Sequence, residues 1–126
     1  MTQPLALIIE DDENLAAIFA EALFAAQFNA EVIQDGEIAL ARLEAVIPEL
    51  VILDLHLPQV SGRNILKKIR SNARLANTRV ILATADPIVA ESLREDADVV
   101  LIKPISFSQL RDLAARLRPP SFTGAS

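Results

Sequence analysis

Leu50-Val51-Ile52-Leu53-Asp54 decides the fold: four apolar residues run straight into a carboxylate. Three other runs have the same form. Leu5-Ala6-Leu7-Ile8-Ile9 ends on Glu10-Asp11-Asp12, Val80-Ile81-Leu82-Ala83 ends on Thr84, and Val99-Val100-Leu101-Ile102 ends on Lys103-Pro104. Short apolar runs with helical segments between them read as parallel strands buried on both faces. In an open parallel sheet the ligand site lies outside the carboxyl ends of the strands. The pattern therefore brings three acids, a lone Asp, a hydroxyl and an ammonium to one rim. Such a set suits a divalent cation beside a phosphoryl group.

The segments between the runs carry their own signals. Asp12 can cap a helix from Glu13 to about Ala26, with Leu15, Ile18, Phe19, Ala22 and Leu23 at helical spacing. Asn29 to Gln34 reads as a second strand, more polar than the others and therefore at an edge. Asp35 caps the next helix, whose apolar face is Ile38, Leu40, Leu43, Val46 and Ile47, and Pro48 stops it. After Asp54 a loop through Pro58 and Gly62 leads to a helix with Ile65, Leu66 and Ile69 inward, then a polar connection from Ser71 to Thr78. Asp86-Pro87 is a cap followed by Pro at the first helical position, opening a short helix to about Glu95. The fifth strand is Asp98 to Ile102. Ser106-Phe107-Ser108-Gln109 is a capping-box pattern for the last helix, whose stripe is Phe107, Leu110, Leu113, Ala114 and Leu117. Pro119-Pro120 ends it, and Ser121 to Ser126 reads as a disordered tail. The order βαβαβαβαβα, with right-handed crossovers, gives a twisted parallel sheet with helices on both faces.

Composition narrows the chemistry. The chain has 126 residues, which fits one domain, and at 52% hydrophobic it can build a substantial core. It has no Cys, which excludes disulfides, thiolate nucleophiles and Cys-based metal sites. The formal net charge is −5 and the basic residues are dispersed, which argues against a nucleic-acid footprint. The single His56 cannot form a multi-His metal site. No apolar run approaches a membrane span, and the N-terminus lacks a signal-peptide pattern. The expectation is a cytoplasmic protein with neither nucleic acid nor membrane as a partner of this domain.

Each rim residue also has an ordinary explanation. Glu10, Asp11 and Asp12 repel one another at a strand end, and a hard cation such as Mg²⁺ would relieve this; they could equally be a solvated turn with Asp12 as a cap. Asp54 behind four apolar residues needs a partner or a metal, and a carboxylate can act as a nucleophile and form an aspartyl phosphate; it could instead be a loop acid. Thr84 can donate to a phosphoryl oxygen and Lys103 can neutralise one, yet Thr is an ordinary strand residue and a terminal Lys is usually solvated. What carries weight is that all four coincide at four strand ends.

Taken together, these residues resemble the receiver domains of two-component response regulators, over about Leu5 to Leu117. The resemblance implies a flavodoxin-like (βα)5 three-layer sandwich, its five-stranded parallel sheet in the order 2-1-3-4-5. It implies a receiver domain over residues 1–118, with 119–126 as a flexible tail or the start of a linker. It aligns Glu10-Asp11 with the acidic pair that binds Mg²⁺, Asp54 with the phosphoacceptor, Thr84 with the hydroxyl residue and Lys103-Pro104 with the Lys-Pro after the fifth strand, its peptide bond expected cis. The implied metal site is Glu10, Asp11, Asp54 and the backbone carbonyl of His56. The implied partner is a sensor histidine kinase or histidine phosphotransfer protein. A homodimer or effector would use the helix 4–strand 5–helix 5 face.

Two departures from the family pattern fall on that face. Val100 stands where receivers usually carry an aromatic residue that turns inward on activation. Thr84 and Lys103 lie 19 positions apart, a few residues closer than is common, which shortens the fourth helix. His56 and Asp86, two residues after Asp54 and Thr84, correspond to positions that flank the phosphoryl group and could orient a hydrolytic water; they could also be an exposed loop His and a helix cap. Two other functions compete: a phospho-independent interaction or dimerisation module of the same fold, and an aspartate-based phosphatase. Phosphatases of that kind typically use Asp-x-Asp, where this chain has Asp54-Leu55-His56.

Overall fold

All four apolar runs are strands of one sheet. The computed structural model describes residues 3–120. The elements follow in the order β1 (Leu5–Ile9), α1 (Glu13–Ala25), β2 (Asn29–Ile33), α2 (Gly36–Ala45), β3 (Leu50–Asp54), α3 (Gly62–Ser71), β4 (Arg79–Thr84), α4 (Pro87–Ser92), β5 (Val99–Ile102) and α5 (Phe107–Leu117). Every strand pair is parallel and the sheet order is β2-β1-β3-β4-β5.

The sheet is buried on both faces because successive side chains of a strand point to opposite sides. Ala6, Ile8, Leu50, Ile52, Ile81 and Ala83 face α1 and α5 through Phe19, Leu23, Leu110 and Ala114. Leu7, Ile9, Val51, Leu53, Val80 and Leu82 face the other way, onto Leu43, Ile65, Leu66 and Ile69 of α2 and α3. β3 has every residue buried, whereas edge strand β2 has only Ile33 buried. This accounts for the polar composition of β2 and for the uninterrupted apolar run of β3.

Asp12, Asp35, Asp86 and Ser106 cap helices where the sequence places them, and Ser61 caps α3 without having been anticipated. Each accepts hydrogen bonds from backbone N–H groups of the first helical turn.

Several boundaries and faces are corrected. Ile18 of α1 is exposed, as are Ile38 of α2 and Ile47 beyond it. Leu43 is buried and Leu40 and Val46 pack against the core as expected; Gly36 and Ala39 join the inward face, Gly36 lying against Val60 of the loop before α3. β2 ends at Ile33 and β5 starts at Val99. α4 ends at Ser92, three residues short of the expectation, and hydrogen-bonded turns replace its last part. The polar connection contains a 3-10 turn, Ala73–Leu75, which buries Leu75. Residues 121–126 of the expected tail lie outside the described residues.

Candidate functional site

Sheet register puts Glu10 and Asp54 side by side. Ile9 pairs with Leu53, so Glu10, just past β1, lies level with Asp54, the last residue of β3. Asp54 pairs with Ala83 and Thr84 with Ile102, which sets Thr84 and Lys103 at the same rim. The Lys103-Pro104 bond is cis, as the resemblance implies.

The acids differ in burial. Glu10 is 1% exposed and Asp54 3%, while Asp11 and Asp12 are open to solvent. Lys103 Nζ lies between the two buried carboxylates, donating to Glu10 Oε1 at 3.0 Å and standing 3.5 Å from Asp54 Oδ1. The Asp12 N–H donates to Glu10 Oε2 at 3.2 Å, and the His56 N–H to Asp54 Oδ1 at 3.1 Å. Asp54 Oδ2 accepts no hydrogen bond from the described residues.

Two carboxylates share one ammonium, so one of them is undercompensated. Burial pushes the Glu10 carboxyl up to about 7; the Lys103 hydrogen bond opposes the rise and the Asp54 charge adds to it. Burial works against the charged form of Lys103, but the Glu10 hydrogen bond and the two carboxylate charges outweigh it and hold the ammonium above its usual range.

Glu10, Asp11 and Asp54 each offer a carboxylate oxygen, all within 4.8 Å of one another. A compact, all-oxygen, acidic donor set fits a hard divalent cation such as Mg²⁺. Asp12 is not part of this set; its carboxylate caps α1 through the Leu15 N–H at 3.0 Å.

The remaining residues divide between rim and scaffold. Thr84 is fully buried, and its Oγ1 accepts from the Asp86 N–H at 3.1 Å. Asp86 Oδ1 in turn accepts from the Ile88 and Val89 N–H groups at 2.9 and 3.3 Å, so its carboxylate is the α4 cap. The His56 side chain is exposed beside the rim. Val100 is half-buried and packs on the α2–α3 side of the core.

Sequence reasoning missed the work done by Gly62 and Asp98. A Cβ on Gly62 would lie 2.5 Å from the Asp54 carbonyl oxygen and 2.6 Å from Leu55 Cα, so this glycine lets the loop after Asp54 fold tightly back on the strand. Its place just after a cap residue, eight positions beyond Asp54, was the available signal. Asp98, expected inside the fifth strand, precedes it and accepts from the Val80 N–H at 2.7 Å and from Arg70 Nη2 at 2.8 Å. Nothing in local periodicity marks that pairing across the sheet.

The profile of the response regulator receiver domain family matches residues 6–115. The chain belongs to this family. Among relatives of this receiver, the sensory transduction protein RegX3 of Mycobacterium tuberculosis (strain ATCC 25618 / H37Rv) is 38% identical over 117 residues, covering 89% of the chain and 48% of RegX3. The receiver thus spans about half the length of such relatives. Among solved structures, a CheY-like response regulator receiver domain from Methylobacillus flagellatus superposes with a TM-score of 0.82 at 25% identity, covering 93% of this chain and all of that one. The chemotaxis response regulator CheY4 of Vibrio cholerae has the same fold, with a TM-score of 0.83 at 22% identity over 92% of this chain and 99% of that one. The flavodoxin-like receiver architecture is therefore established by sequence and shape together. No helix among the described residues is long and apolar enough to cross a membrane.

Proposed function

We propose that residues 1–118 are a phosphoacceptor receiver domain of a cytoplasmic two-component or phosphorelay response regulator, with 119–126 a tail or the start of a linker. Its donor is a phosphohistidine on a sensor histidine kinase or histidine phosphotransfer protein. The observation that carries the reading is Asp54: buried, one carboxylate oxygen held by His56 N–H and facing Lys103, the other accepting no bond from the described residues. An Asp54 carboxylate oxygen attacks phosphorus, the N–P bond breaks, and the imidazole leaves with its electron pair and takes up a proton.

Glu10, Asp11, Asp54 and the His56 backbone carbonyl would hold Mg²⁺. When bound, the cation offsets negative charge on the transferring phosphoryl group. Lys103, 3.5 Å from Asp54 Oδ1, supplies a second positive charge. Thr84 turns its hydroxyl from the Asp86 N–H toward a phosphoryl oxygen, which releases the amide of the α4 cap residue. That exchange of partners is the switch, a shift of population between two arrangements of the loop from Ala85 to Pro87. Val100 brings no ring to the fifth strand, so the signal leaves through this loop and α4. A homodimer or effector then reads the α4–β5–α5 face.

Labelling by acetyl phosphate in the presence of Mg²⁺, lost in Asp54→Asn, is the expected result. Absence of labelling would favour the phospho-independent interaction module, which the six-residue α4 also supports. Multiple turnover on small phosphate esters would favour a phosphatase, although position 56 holds His and not the second carboxylate of an Asp-x-Asp pair.

A further inference from the structure

The segment between β4 and β5 is held very differently at its two ends. At the rim, the Asp86 N–H donates to Thr84 Oγ1 at 3.1 Å, a bond between neutral groups. At the far end, the Arg70 guanidinium of α3 makes three bonds. Nε donates to the Asp96 carbonyl at 2.7 Å, Nη2 to the Asp98 carboxylate at 2.8 Å and Nη1 to the Thr78 carbonyl at 3.1 Å. Asp98 is fixed in turn: its carboxylate accepts from the Val80 N–H at 2.7 Å, and its own N–H donates to the Val80 carbonyl at 3.0 Å. Charge-assisted bonds are stronger than neutral ones, and a planar guanidinium can fix several acceptors at once. One side chain therefore ties the turn after α4 and the approach to β5 to the entry of β4.

Between these ends the segment is lightly built. α4 has six residues, with Ile88 and Glu91 exposed and Val89, Ala90 and the following Leu93 turned inward. The rim end depends on a hydroxyl that has a second use, whereas no group at the far end belongs to the rim.

We infer that Arg70 is a stop for the switch: it confines the response to residues 85–95 and keeps the start of β5 in place. A partner that tells the two forms apart then reads α4 and the loop before it, with β5 a fixed platform beside them. This rests on the function proposed above, in which Thr84 releases the Asp86 N–H.

Amide hydrogen exchange of the full chain, with Mg²⁺ alone and with Mg²⁺ plus beryllofluoride as the stand-in for the phosphoryl group, tests the stop. In the parent, exchange should differ between the two forms by about fivefold or more within residues 85–95, and by less than about twofold at Asp96, Ala97 and Asp98. Arg70→Met removes all three donors, and the difference should then run on through Asp98 to Val99. If Arg70→Met does not fold, Arg70→Lys, which keeps the charge on a single-point donor, decides in its place. Arg79→Lys is the control: Arg79 Nη1 reaches the same Asp98 carboxylate at 3.4 Å, while the Asp96 carbonyl is held by Arg70, so the boundary should stay at Asp96. A merely structural role for Arg70 would speed exchange of residues 93–98 equally in both forms, and that result would overturn the inference. So would a boundary that stays at Asp96 without the Arg70 fork, or one that already lies beyond Asp98 in the parent. Each of these leaves a beryllofluoride response in the parent; no response at any amide would instead overturn the proposed switch, and the stop with it.

Discussion

Gly62→Ala should destabilise this receiver, although glycine-to-alanine at a helical position is ordinarily favourable. Gly62 opens α3 at a negative φ, so the exchange gains about 0.5–1 kcal/mol of helix propensity. Against this, the new methyl would meet the Asp54 carbonyl oxygen at 2.5 Å and Leu55 Cα at 2.6 Å. Ordinary contact begins near 3.4 Å, so the strand end and the helix start must separate by about 0.9 Å. Both obstructing atoms are backbone and cannot swing aside as a side-chain tip would. Overpacking of this kind costs about 1–3 kcal/mol or more. The net loss should be roughly 1–2 kcal/mol, a fall in Tm of roughly 3–10 °C. The displaced residue is Asp54 itself, and a misplacement approaching 1 Å at a reacting group can cost up to about a hundredfold in rate. Urea unfolding and acetyl phosphate labelling of the same preparation measure both effects. Arg63→Ala, on the same turn but exposed, should stay within about 0.5 kcal/mol of the parent. If Gly62→Ala proves as stable as the parent and labels at the parental rate, the close approach is not what holds Asp54 in place.

Three further outcomes follow from the same geometry. Mg²⁺ should raise the unfolding free energy by about 1.4 kcal/mol at ten times its Kd, and Asp11→Ala should remove both that gain and labelling; a variant that labels normally would remove Asp11 from the metal site. Because burial raises the Glu10 pKa from 4.5 to about 7 in the metal-free protein, the folded state keeps a proton that the unfolded chain has released, and stability should fall as pH rises through that window; thermal melts of Glu10→Gln should lack this component, and identical slopes would contradict the assignment. Gln27 holds the left-handed position after α1 at φ 69°, where Phe28 N–H reaches Leu23 O and Gln27 N–H reaches Phe24 O; Gln27→Gly should add up to about 1 kcal/mol in denaturant titration, even though Arg118 loses its Gln27 acceptor and keeps only the Ala26 carbonyl, and a net loss would show that the Arg118 tie outweighs the backbone strain.

The central strands were legible because burial on both faces leaves no alternative to an apolar run, and β3 is the extreme case. The caps at Asp12, Asp35, Asp86 and Ser106 were legible because each is a local exchange between a short polar side chain and the next turn. The inward face of α2 was legible only in part: Leu40, Leu43 and Val46 meet the core, and Ile38 and Ile47 do not. Helical spacing nominated Ile38, which is 62% exposed, whereas Gly36 and Ala39 are inside, Gly36 against Val60 of the loop before α3. Hydrophobicity identifies what favours burial; closeness of approach is decided by the smallest side chains, and periodicity does not rank those. The end of α4 failed for a related reason. Leu93 is buried, yet it lies in the turn after the helix, so an apolar residue at helical spacing is no evidence that the helix continues.

The rim shows how far strand-end logic reaches. It put Glu10, Asp54, Thr84 and Lys103 at one edge from one-dimensional order alone, because a parallel sheet turns chain order into spatial order. It treated the acids as equivalent, and they are not. Ile9 is the last residue of its strand, so Glu10 is still enclosed while Asp11 has left the sheet. The enclosed acid pairs with Lys103 across 93 positions of sequence, and the exposed one remains open to solvent. One ammonium faces two buried carboxylates, and burial first, with the Asp54 charge adding to it, raises the Glu10 pKa against the opposing Lys103 hydrogen bond. On the proposed function, a cation at Asp11 would offset this negative charge, whereas a phosphoryl group on Asp54 without a cation would add to it. On the same reading, that charge arrangement would favour cation binding before phosphoryl transfer, a preference that the adjacency of Glu10 and Asp11 in the sequence could not reveal.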